Sequence, residues 1–433
     1  MRSGQDHVTA DTRNRWRRHV RRAALPMLAL VATAACTDST APTAAPSSPS
    51  LNRSEGRGVF QRYVALGSGM SMGWQSDGVT AQSQYDSWPG QLARMAHREL
   101  DQPYVATPTC LPPILAPFGS FTRAPSGPCA NAPGVVLPTQ NLAYRGATVS
   151  SALMAMVGGA VMGDSGFGFT SVMPLVLPPG VTQLGALRAL KPKIVSVEFG
   201  TSEILRTMLR PADGAPLLLP SDVRWAAMYD QILDEVSKST DVVVLALPPR
   251  GIPPGFVAGS SVVGSLAAPE VLAQYNIVVR NEDADCGFIR AVYVPRYLQL
   301  LITQALAAKA GGLGPLPLNC NQLSRTDLSF SYDAWDFIFP ILEMMRRHIR
   351  QQADLRGFAY FDMDVLYSSY SQPPFNVTTF MTASEPFGPY VSIDGIYPTA
   401  AGNALLAEAA ARALNEKYDL GLPVSASTAW FAR

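Results

Sequence analysis

Four short β-forming runs, alternating along the chain with stretches of helical spacing, constrain this protein more than any other feature of its sequence. RYVALG (62–67) ends in glycine, KIVSVEFG (193–200) leads into SEILRTML, DVVVLALPP (241–249) is a continuous apolar run, and GFAYFDMD (357–364) is the last of the four. An unbroken apolar run is the pattern of a parallel strand covered on both faces. SWPGQLARMAHREL (87–100) and TAAGNALLAEAAARALNEKY (399–418) have the apolar spacing of helices, with Pro398 suited to the first turn of the second. Parallel neighbours need long crossovers, and strand–helix alternation supplies them. The expected fold class is therefore α/β: a three-layer α/β/α sandwich with a mainly parallel sheet. The Pro- and Gly-rich stretches 103–138 and 248–321 read as long loop insertions into one domain, the second with a helical patch at 297–310.

The ends of the 433-residue chain need separate treatment. Arg13, Arg15, Arg17, Arg18, Arg21 and Arg22 precede an apolar run from Ala23 to Ala35 that is too short to span a bilayer. The run closes in Thr33-Ala34-Ala35-Cys36, which resembles a bacterial lipoprotein cleavage box, with Thr33 in place of the usual large aliphatic residue. Residues 1–35 are expected to be a lipoprotein signal peptide, with lipid attached at Cys36; the alternative is a secretory signal with an incidental cysteine. Residues 36–58, rich in Ser, Thr, Pro and Ala, read as a flexible tether, 59–420 as the folded domain and 421–433 as a tail. The expected location is the bacterial cell envelope, on the periplasmic or surface face of the outer membrane. The partner is that membrane, and the protein is read as a monomer.

Loss of residues 1–35 takes seven arginines and two aspartates from the 34 basic and 33 acidic residues and leaves a net charge near −4. That balance offers no basic stripe for nucleic acid. Besides Cys36, the domain keeps four cysteines, Cys110, Cys129, Cys286 and Cys320. An even number in an exported protein favours disulfides, and pairing of sequence neighbours, Cys110 with Cys129 and Cys286 with Cys320, is preferred among three connectivities; four buried thiols are the alternative. Neither a C-x-x-C pair nor a His-rich cluster suggests a metal or cofactor.

Four segments follow one another in an order that resembles the SGNH hydrolase (GDSL esterase and lipase) superfamily, over most of residues 62–418. The first, ALGSGMSMG (65–73), follows a strand as the family's nucleophile block does, but Ser68 stands at the aspartate position and Gly69 at the nucleophile, with Ser71 two residues on. A left-handed conformation at Gly69 would penalise any side chain there. The second, NLAYRGATVSSAL (141–153), supplies Gly146 as a backbone oxyanion donor. The third, Gly200-Thr201-Ser202-Glu203, has Ser202 where the family has asparagine. In the last, Asp394-Gly395-Ile396-Tyr397-Pro398, Tyr397 stands where the resemblance implies the catalytic histidine. A phenol with a pKa near 10 does not form the cation that a serine's proton acceptor must form. His97, late in the first helix, and His348, in the basic helical stretch EMMRRHIRQQ of ordinary solvated type, are poorly placed as substitutes.

The resemblance implies an ester hydrolase; the residues imply one whose nucleophile, oxyanion asparagine and base are replaced by Gly69, Ser202 and Tyr397. Three readings stay open: a non-catalytic binding protein whose cleft, with Gly146, Asp394 and Trp74, holds an acyl or glycan ligand; an active esterase using Ser68 or Ser71; and a structural envelope protein.

Overall fold

The structure, a computed structural model, describes residues 58–158, 172–209, 222–264, 268–279, 290–318, 329–368 and 374–425. All belong to the unit Ala45–Arg433. The signal segment, most of the tether, Cys36, Cys286 and Cys320 lie outside the described residues.

The four β-forming runs become four parallel strands: β1 (Tyr63–Gly67), β2 (Ile194–Glu198), β3 (Val243–Leu247) and, after the intervening elements, β7 (Ala359–Asp362). They lie side by side in that order. On the free side of β1, Asn141 makes one parallel bridge to Ala65, so the second family-like block enters the sheet as a remnant strand. Counting it, the order is 2-1-3-4-5, the doubly wound arrangement in which ligands bind beyond the carboxyl ends of the strands. Every residue of β1, β2 and β3 is buried, whereas β7, at the edge, alternates and exposes Tyr360.

Two groups of helices cover the sheet. On one side α2 (Trp88–Met95) packs on α9 (Ala400–Tyr418), and α9 lies along β3 and β7. The other layer comprises α3 (Val149–Met154), α4 (Gln183–Leu190), α6 (Asp222–Ser237) and α8 (Tyr332–Arg356). Thr399 caps α9 by accepting the Gly402 N–H, which leaves Pro398 outside the helix rather than in its first turn. Helix α2 stops at Met95, and His97 lies beyond it, exposed, at φ +58°.

Two expectations need correction. The stretch 248–321 is not mainly loop: β4 (Phe256–Ala258) and β5 (Arg290–Tyr293) lie in it and, with β6 (Ser329–Ser331) just beyond it, form an antiparallel sheet, and α7 runs Val294–Ala310. Strands of three or four residues are too short for alternation to show in sequence. The basic stretch of α8 is not a solvated face either. The Arg346 side chain is wholly buried, paired with Asp362 at the end of β7 and with Asp364 at 3.4 Å. His348 Nε2 meets Asp230 Oδ1 at 2.9 Å, edge-on to Trp225 and Tyr229, and so joins α8 to α6. In the first insertion Cys110 and Cys129 are joined by a disulfide.

Candidate active site

Chain leaving β1 turns at Ser68 into the one-turn helix α1 (Gly69–Met72). Ser68 is its N-cap, and both of its donors go to one acceptor: the backbone N–H reaches Glu198 Oε2 at 2.9 Å and the hydroxyl at 2.7 Å. Ser71 Oγ donates to the same oxygen at 3.3 Å and accepts from Trp88 Nε1 at 3.1 Å. Ser68, Ser71 and Glu198 are 1%, 0% and 0% exposed. Burial pushes the Glu198 carboxyl up to about 7, against the lowering effect of the Ser68 hydrogen bonds. Both serines thus belong to a sealed polar knot beneath the strand ends.

Gly69, expected from the sequence to stand at a nucleophile position, is closely covered. A Cβ built on it would lie 2.7 Å from Cε1 of Tyr397 and 3.1 Å from its hydroxyl oxygen, closer than packed carbon atoms come. Its φ is not positive, so the obstacle to a serine is the tyrosine ring and not the backbone expected from the sequence.

The turn carrying Tyr397 is fixed by Asp394. One carboxylate oxygen accepts the backbone N–H groups of Ile396 (2.8 Å) and Tyr397 (2.9 Å), and the other accepts that of Asp77 (2.8 Å). Burial raises its pKa and these bonds oppose the rise. Asp394 is therefore a turn-former that ties three backbone amides. Gly395, at φ +66°, permits the turn, and a Cβ there would strike Gly255 Cα at 2.3 Å. The Gly255 N–H donates to the Gly395 carbonyl at 2.8 Å, which pins the insertion to the turn.

Tyr397 faces Arg145. The guanidinium lies 4.4 Å above the Trp74 ring and 3.5 Å from Asp77 Oδ1. Burial pushes the Tyr397 phenol up to about 12, although Arg145 opposes this. Burial works against the charge on Arg145, but Tyr397 and Asp77 more than offset it, and its pKa is raised. Gly146 follows at φ +80°, and Ser202 is buried in the first turn of α5 (Thr201–Met208). Glu203 of the same helix accepts from the Gly200 and Val149 backbone amides and from the Trp225 indole.

Above this floor is a cleft of about 280 Å³ whose walls include Asp77, Arg123, Arg145, Tyr293, Arg296 and Tyr397. Of the residues expected from sequence, Asp394 and Tyr397 line it, whereas Ser68, Gly69, Ser71, Gly146, Ser202 and Trp74 do not. Sequence reasoning passed over Arg145 although it adjoins Gly146, and over Glu198 although a lone acid in an apolar strand signals a buried polar contact. Tyr293 and Arg296 carry no sequence signal, since the insertion alone brings them to the strand ends. Among the described residues there is no cluster of His, Cys, Asp and Glu able to hold a metal.

No family model and no curated protein matches this chain. Among solved structures it is similar to an acetylxylan esterase from Geobacillus stearothermophilus, at 11% identity and a TM-score of 0.32, over 84% of this chain and 96% of that one. It is also similar to an α/β hydrolase from the metagenome of Lake Arreo, Spain, at 11% identity and a TM-score of 0.33, over 82% of this chain and 94% of that one.

Proposed function

We propose that this protein is an exported, lipid-anchored member of the SGNH-like class that holds an acyl or glycan ligand in its cleft and does not hydrolyse esters. One observation carries the reading: the Tyr397 ring fills the space that a nucleophilic side chain at Gly69 requires, at 2.7 Å from the first atom of such a side chain. Loss of nucleophile and base together removes essentially all triad catalysis, about a millionfold in rate. His97 and His348 lie away from the cleft, on the far end of α2 and in the α6–α8 contact, which also supports it. An open cavity beside the filled position favours binding over a purely structural role. The basic leader, the small residues before Cys36 and the Ser/Thr/Pro/Ala tether support envelope anchoring. No helix among the described residues is long and apolar enough to cross a membrane.

A second reading draws on the 2.7 Å contact of the Ser68 hydroxyl with Glu198, a serine–carboxylate pair that would act as an esterase if it opened to the cleft. One assay separates the two. With p-nitrophenyl esters of short and medium acyl chains, the purified protein is expected to stay at the buffer rate, with Ser68→Ala and Ser71→Ala indistinguishable from it. Turnover by the parent that either substitution abolishes would establish the esterase instead.

A further inference from the structure

The cleft wall contributed by the insertion has a chemistry of its own. Helix α7 is 17 residues long and begins at the cleft, with Tyr293 as its N-cap, Pro295 in its first turn and no side-chain cap hydrogen bond. The first backbone N–H groups of a helix have no intrahelical acceptor and carry a partial positive charge. Arg296, in that first turn, is exposed and makes no ion pair with any described residue. Tyr293 is only 8% exposed, its ring packs on Phe256 at 5.1 Å, and its hydroxyl has no hydrogen-bond partner among the described residues although the residue lines the cavity. A hydroxyl that faces the cavity from a mostly buried ring is held in place to donate to a group that enters it.

The acidic groups facing the same space are already committed. Asp77 is paired with Arg123 at 2.6 Å and with Arg145 at 3.5 Å, and Asp394 holds three backbone amides. Arg145 is held in place by Trp74, Asp77 and Tyr397, so its position needs no rearrangement when a ligand arrives. We infer that the cleft binds the oxyanion end, carboxylate or phosphate, of its ligand, between the first turn of α7 with Arg296 and the Tyr293 hydroxyl on one wall and Arg145 on the other. The inference rests on reading the cleft as a binding site, and it names the chemical class of what binds there.

The test is calorimetric titration of the purified full chain at low ionic strength with galacturonate, inorganic phosphate and neutral galactose. Galacturonate or phosphate should bind, at least tenfold more tightly than galactose, and weaken as salt is added. Arg296→Ala, at an exposed position, should weaken binding about tenfold, as loss of a charged hydrogen bond does, and Arg296→Glu should weaken it further. Tyr293→Phe should weaken it severalfold with unfolding unchanged. Binding by galacturonate alone or by phosphate alone supports the inference and identifies the oxyanion. Galactose binding as tightly as the acids, indifference to Arg296→Glu, or no binding of either anion overturns it. None of these outcomes depends on ester turnover, so a silent esterase assay with no anion binding defeats this inference alone.

Discussion

A methyl group placed on Gly69 falls 2.7 Å from the Tyr397 ring, so the two positions must be changed together. Gly69→Ser alone is expected to destabilise the protein by about 1–3 kcal/mol through overpacking. Gly69→Ser with Tyr397→His, which puts a smaller ring in the same place, should recover most of that loss in urea unfolding. An equal loss in both variants would show that the contact is not the cause. Glu198 gives a second expectation. Its carboxyl is raised from the ordinary 4.5 to about 7, so the folded protein holds that proton more tightly than the unfolded chain does. The stability it contributes is full below the unfolded value and is lost as pH rises through the folded one, by roughly 3 kcal/mol at most. Glu198→Gln should flatten this fall between pH 5 and pH 8 in chemical unfolding experiments, since an amide does not titrate. An unchanged pH slope in the variant would remove Glu198 as its source.

At the level of elements, the parallel strands were legible because each is a short β-forming run, buried from end to end in all but the edge strand, and DVVVLALPP contains β3 entire. The strand at the second block was not: only Asn141 bridges Ala65, and a single ladder position leaves no periodicity to read. The small antiparallel sheet of the insertion was hidden for the same reason. Within the site, sequence motifs singled out Gly69 and Tyr397, which the structure brings into contact. The cleft was not legible, because Arg145 and Arg296 are separated by about half the domain and meet only through tertiary packing. The first insertion carries its own constraint, the disulfide between Cys110 and Cys129, which are 19 residues apart in sequence. Closing a loop of that length limits the unfolded chain, and its reduction should lower stability by about 3 kcal/mol. Urea unfolding with and without reductant, read against Cys110→Ser/Cys129→Ser, checks this; coincident curves for oxidised and reduced protein would exclude it.

For the whole molecule, the proposed anchor makes the clearest demand. The wild-type chain should sediment with membranes, and Cys36→Ala should leave it unlipidated and released or uncleaved, because an acylated cysteine rather than a spanning helix provides the attachment. A wild-type protein found wholly soluble, with its mature N-terminus at another residue, would end that proposal. Held off the bilayer by a tether, the α/β body would present its strand ends and the α7 wall to whatever diffuses in the envelope. The interlock at its centre also bears on how such a chain changes over generations. Gly69→Ser made first meets the tyrosine ring, and Tyr397→His made first would put an imidazole beside a glycine. Neither substitution alone would supply both parts of a hydrolytic pair, so a gain of ester hydrolysis at this place would need the two positions to change together.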